Sequence, residues 1–121
     1  CYKRVSLLTH SFKPSFRNLQ TGVGGVLYPP NSLSKEMLKT ELFMQMAPTV
    51  DDIWFWAAAV ANGTKIAPIP FGFWRQPDLR KPSEVSLRST NVFSGIDVNR
   101  KVFESIIKKF PIIKKRFEAK N

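Results

Sequence analysis

The stretch that decides the fold is PTVDDIWFWAAAVANGTKI, residues 48–66. Pro48 closes whatever precedes it, because proline cannot continue a hydrogen-bonded element. Thr49-Val50-Asp51-Asp52 has the Ser/Thr-x-x-acid form of a capping box, and the spacing predicts a helix from Thr49 to about Ala61. Asn62-Gly63 supplies its stop, since glycine takes the left-handed backbone that ends helices. The body, IWFWAAAVA, is apolar all round, so this helix is expected to be buried on most of its sides.

Working outward, TGVGGVLY at residues 21–28 mixes β-branched residues with three glycines and reads as a strand that starts after, or bends at, Gly24-Gly25. Pro29-Pro30 ends it. Asn31-Ser32 then offers a helix cap, followed by Leu33, Met37, Leu38 and Leu42 at helical spacing up to Pro48. Residues 65–69 read as a short strand between prolines, and residues 5–8 as another. Residues 71–93, with Pro77, Pro82 and several Ser and Arg, read as a long surface loop of the kind that carries binding roles. Asp97 is an N-cap for a helix whose apolar face is Val98, Val102, Phe103, Ile106, Ile107 and Phe110, stopped by Pro111. Residues 112–121 read as a final short helix or tail. The expected architecture is therefore α/β, with too few strands for a complete sheet.

Composition bounds the rest. The chain has 121 residues, 43% of them hydrophobic and 23% charged, which suits a single globular domain. The richest apolar run is nine residues, too short to span a membrane. The single cysteine, Cys1, excludes an intrachain disulfide and a cysteine-based zinc site. Cys1 rather than Met stands first, and the expectation is a piece of a longer protein. The net charge is +10, and residues 100–121 hold eight basic and two acidic side chains. Such a surface attracts phosphates on a nucleotide, an acidic membrane surface or nucleic acid. Nucleic acid is the weakest of these, with no helix-turn-helix, RNP-type or zinc-finger pattern. A solvated helix face and tail is the simpler use of the same charges.

The acidic doublet Asp51-Asp52 carries the chemistry. Carboxylates are favoured at a helix N-terminus, where N–H groups are unpaired and the dipole is positive. Two uses stand open: both acids stabilise the helix start, or one caps and the other, Asp51 if Thr49 is the cap, serves a ligand. The dipole lowers a carboxylate pKa while the neighbouring Trp and Phe side chains raise it. Trp54 and Trp56, two apart, face different sides, so one is core and the other, on the acidic side, is placed to stack on a sugar face. Trp74 beside Arg75 in the long loop is a second such ring. His10 reads as a surface residue, and Cys1 has no partner for nucleophilic chemistry.

The two segments together, TGVGGVLYPPNSL at 21–33 and PTVDDIWFWAAAVANGTKI at 48–66, resemble the acceptor-side half of a GT-A glycosyltransferase. In fringe-like and β-1,3-galactosyltransferase-like enzymes a Gly-Gly strand leads into a helix, and an acidic pair after a proline opens the next. The chain is similar, too, to bacterial glycosyltransferases of surface-polysaccharide synthesis, in which a GVGGVLYPP segment precedes ADDIW. The resemblance covers residues 21–70. It implies a few-stranded mixed sheet with flanking helices, and transfer from a nucleotide sugar to a glycan acceptor with inversion. It implies Asp51 or Asp52 as base and Gly24 and Gly25 as the floor under a sugar. It further implies a cytoplasmic protein, peripheral at the inner membrane face, with a divalent Mn or Mg ion in the full-length protein. The departures are that the chain has no Asp-x-Asp and that its only histidine, His10, precedes the motif. No cofactor is therefore expected within this chain, and the donor-binding half is expected upstream of it. Such a half-domain exposes apolar surface, which favours a homodimer. The alternative is a basic anion-binding module without catalysis.

Overall fold

The computed structural model describes residues 13–22, 25–69 and 97–119. Four helices lie among them: α1 (Thr40–Met46), α2 (Asp51–Asn62), α3 (Val98–Lys109) and α4 (Pro111–Glu118). The middle of the fold is α2, as its all-round apolar sequence requires. Ile53, Trp54 and every residue from Trp56 to Val60 are buried. One flank meets α1, where the Trp54 ring lies 5.9 Å from Phe43 and its indole N–H donates to the Met37 carbonyl at 2.9 Å. The opposite flank meets α3 and α4. There Trp56 stacks on Phe103 at 5.4 Å and meets the edge of Phe117 at 5.9 Å, and its N–H donates to the Phe16 carbonyl. Each indole thus buries its ring and still satisfies its one donor. The small side chains of Ala57 to Ala59 let the chain approach α2 closely, so that the Ser34 N–H donates to the Ala58 carbonyl at 3.0 Å.

The two C-terminal helices follow local rules. The Asp97 side chain accepts the Arg100 N–H at 2.9 Å and starts α3. Arg100 and Glu104, one turn apart on its exposed face, form an ion pair at 3.0 Å. Pro111 ends α3 and opens α4, the first helical position being the one place where its missing N–H costs nothing.

The α/β expectation is corrected by this arrangement: the described residues are helical, and no β-strand or sheet is found among them. Residues 65–69 make a single antiparallel bridge, Ser15 with Ile66, through N–H to carbonyl bonds of 3.0 and 3.1 Å. Asn18 adds a side-chain donor to the same Ile66 carbonyl at 2.8 Å. Pro68, two residues on, has no N–H with which to extend the ladder. The 21–28 segment fails as a strand for a related reason. Its glycines close a turn, with the Gly25 N–H on the Gly22 carbonyl at 3.0 Å and Gly25 at φ 84°. Only three residues then remain before Pro29, and Leu27 among them is 85% exposed. An unpaired run that short has nothing to hold it in a sheet. Residues 5–8 lie outside the described residues.

The helix expected from Leu33 is also shorter than its periodicity suggests. Asn31 sits at φ 60° and the Ser32 N–H closes a turn onto the Pro29 carbonyl. Residues 34–39 then form successive turns, and α1 begins only at Thr40. Of the two readings of the last residues, the short helix is the one found, α4 following α3 directly.

Candidate functional site

The candidate site is built on the N-terminal end of α2. Its N-cap is Val50, buried and with no side-chain cap bond, one residue later than the capping-box reading places it. The first two helical residues are the acidic doublet. Asp51 is exposed and turns back on its own helix, its Oδ1 accepting the Asp52 N–H at 3.0 Å. Asp52 is half-buried and reaches outward: its Oδ1 accepts the Gly22 N–H at 2.8 Å, 30 residues upstream in sequence. The two carboxylates therefore do different work.

A β-carbon at Gly22 would sit in ordinary contact with that carboxylate oxygen, at 3.4 Å, so the contact is made by the backbone N–H and not by the lack of a side chain. With Gly25, Gly22 forms the turn that rests on Asp52, and Gly25, at positive φ, occupies backbone that other residues rarely adopt. The sequence pattern flags the glycine cluster, and within it Gly22 is the donor to the Asp52 carboxylate. Gly24 and Trp74 lie outside the described residues, as do His10 and Cys1. Trp54 is 1% exposed with its N–H engaged, so its ring belongs to the core between α1 and α2 and presents no face to a ligand.

Burial pushes the Asp52 carboxyl above the ordinary aspartate pKa; the Gly22 N–H pulls it down and the Asp51 charge adds a further upward push. The net direction is up. A carboxylate in that condition is a stronger proton acceptor than a solvated aspartate, and the direction favours general-base work near neutral pH.

The aromatic residue of this end of α2 is Phe55, one turn beyond the doublet and half-buried. The Tyr28 ring lies against it, centroids 5.6 Å apart and tilted by 43°. Sequence spacing gives no sign of this pair, because Tyr28 and Phe55 belong to different segments. Three buried side-chain polar atoms find no partner among the described residues: Nε2 and Oε1 of Gln20, and Oγ of Ser32. Gln20 stands two residues before Gly22, and Ser32 two residues after Pro30. A buried polar atom left unpaired costs about 1–3 kcal/mol, and such atoms concentrate where a ligand completes them.

The divalent metal implied by the resemblance finds no ligand set here. Among the described residues no group of three or more His, Cys, Asp or Glu side chains converges. Asp51 and Asp52 are engaged with separate backbone N–H groups. Nor, among those residues, is any helix long and apolar enough to cross a membrane. Comparison with protein-family models, with curated proteins and with solved structures finds no match to this chain.

Proposed function

We propose that this chain is the acceptor-binding, base-bearing part of a glycosyltransferase that moves a sugar from a nucleotide sugar to a glycan acceptor with inversion. The observation that carries the reading is the half-buried Asp52 carboxylate, raised in pKa and turned away from its own helix onto the Gly22 backbone. The amide of Gln20, two residues before Gly22 in sequence and without a hydrogen-bond partner among the described residues, is a group that a hydroxyl-rich ligand could satisfy. In this scheme Asp52 takes the proton of the acceptor hydroxyl. The freed oxygen forms a bond to the anomeric carbon as the bond to the nucleoside diphosphate breaks, and the diphosphate leaves with the electron pair. Attack from the face opposite the leaving group inverts the centre. The neighbouring Asp51 adds a small upward push to the Asp52 pKa and so strengthens it as a base. The donor is held by residues outside those described.

The test is sugar transfer by the protein that carries this chain together with its donor-binding residues. Asp52→Asn keeps an oxygen for the Gly22 N–H but cannot take a proton, and transfer is expected to fall by about 10²–10⁴-fold with the circular dichroism unchanged. Full transfer in both Asp52→Asn and Asp51→Asn eliminates the reading.

A second reading rests on a different observation. Lys108, Lys109, Lys114 and Lys115 are all exposed around the Phe110–Pro111 junction, and no ion pair involves them among the described residues. This favours an anion-binding module for an acidic membrane surface, where each lysine contributes about 1 kcal/mol. Salt-sensitive binding to phosphatidylserine vesicles, absent with phosphatidylcholine, supports it; no binding at low salt excludes it.

A further inference from the structure

Residues 108–115, KKFPIIKK, set four apolar residues between two pairs of lysines, and they fall where α3 gives way to α4. The two helices fold back on each other about this point. Phe103, seven residues before Phe110, and Phe117, seven residues after it, meet edge to face with ring centroids 6.0 Å apart. Phe110 and Pro111 are therefore the tip of a helical hairpin, about 10 Å of helix axis beyond that contact. The tip sorts its apolar side chains. Ile113 is buried with Ile106 and Phe117, and Phe110 is half-buried against them. Ile112 is 42% exposed, with Pro111 exposed beside it.

The cations are sorted as well. Arg116 is drawn inward to the Val60 and Ala61 carbonyls, and Arg100 is paired with Glu104. Lys108, Lys114 and Lys115 are exposed, with no ion pair among the described residues. Lys109 borders a shallow depression that also holds Glu36 and Glu41, and so stands on the side toward α1. Lysines in the last turn of α3 complement its dipole, but the dipole calls for no exposed isoleucine between the lysine pairs. Nucleic acid would pair with the lysines at its phosphates and leave Ile112 in water. An acidic bilayer takes both, its headgroups meeting the lysines and its acyl boundary accepting the apolar side chain. We propose that the tip of the α3–α4 hairpin docks on an anionic lipid surface. Ile112 and Pro111 enter the headgroup–acyl boundary, and Lys108, Lys114 and Lys115 reach the lipid phosphates with their stems along the apolar layer. The proposal rests on the membrane-surface reading and adds to it an apolar anchor and an orientation, hairpin tip first.

The test is co-sedimentation of the 121-residue chain with vesicles of phosphatidylcholine alone and of phosphatidylcholine mixed with phosphatidylserine. Binding is expected to the mixed vesicles and is expected to fall as salt screens the charges. Lys108→Gln and Lys115→Gln are each expected to weaken it by about fivefold. Ile112→Ser is expected to weaken it by about tenfold and to keep the wild-type salt dependence, because it removes apolar burial and no charge. Met44→Ser, at an exposed apolar side chain on α1, is the control and is expected to bind as the wild type does. Unchanged binding by Ile112→Ser, with both lysine variants weakened, overturns the apolar anchor and leaves the membrane-surface reading standing. No binding to the mixed vesicles at low salt overturns both. Tighter binding to duplex DNA than to the mixed vesicles at one salt concentration assigns the tip to nucleic acid and overturns the proposal.

Discussion

The two ends of α2 are built on opposite principles. At the C-terminal end every device closes. Gly63 takes the left-handed conformation at φ 85°, and the Thr64 N–H returns to the Ala59 carbonyl at 2.9 Å. The Arg116 guanidinium, from α4, donates to the carbonyls of Val60, at 2.8 Å, and Ala61. Carbonyls that a helix leaves unpaired are thereby satisfied, and by a positive charge at the negative end of the dipole. At the N-terminal end nothing closes as fully. The cap is Val50, without a capping side chain, and of two carboxylates one leaves the helix for Gly22 and carries a raised pKa. Stability is concentrated at one end and uncommitted polarity at the other.

Breaking the closed end should produce the largest change. Arg116→Met keeps the aliphatic stem but removes two charged donors from α2 carbonyls, and a loss of about 2 kcal/mol in urea unfolding is expected. Lys115→Met, its exposed neighbour, is the control and should stay within about 0.5 kcal/mol. Gly63→Ala tests the same end through the backbone. It forces a β-carbon into positive φ, so a loss of about 1 kcal/mol is expected.

The open end responds to pH instead. The folded-state pKa of Asp52 lies above its unfolded value, so the folded protein binds the extra proton between the two. Stability from this group is then fully present below the unfolded pKa and declines as pH rises through the folded one. Asp52→Asn removes that slope. Chemical denaturation from pH 3 upward should show wild type losing ground against Asp52→Asn until the carboxyl is fully ionised. A parallel pair of curves would show that the Asp52 pKa is not raised.

The same comparison explains what could be read from the sequence. The existence, burial and C-terminal stop of α2 were legible because each depends on neighbours within a few residues: an apolar run, and Asn62-Gly63. Asp97 as the α3 cap was legible for the same reason. What escaped depends on partners far along the chain. Arg116 reads as one more member of a solvated basic run, and only its position 55 and 56 residues from the carbonyls it caps reveals its role. The i, i+2 argument left one of Trp54 and Trp56 an open side, but α1 covers the first and α3 and α4 the second. Residues 21–28 have strand composition, yet a strand needs a partner, and the Gly22–Gly25 turn uses its backbone on Asp52 instead. At the site, the acidic doublet was visible and the division of labour within it was not. The Thr49 cap reading assigned Asp52 to the helix and freed Asp51, whereas the structure sends Asp52 outward and keeps Asp51 on the helix.

The central claim is that Asp52, held by Gly22 and partly withdrawn from water, is a carboxylate prepared to take a proton. Carbon-13 titration of the aspartate side-chain carboxyls, with the Asp52 signal assigned by its loss in Asp52→Asn, measures this in the intact chain. The account predicts a midpoint above the ordinary aspartate value of about 3.9. A midpoint at or below that value would mean that the Gly22 hydrogen bond outweighs burial, and Asp52 would then be a structural tie rather than a base.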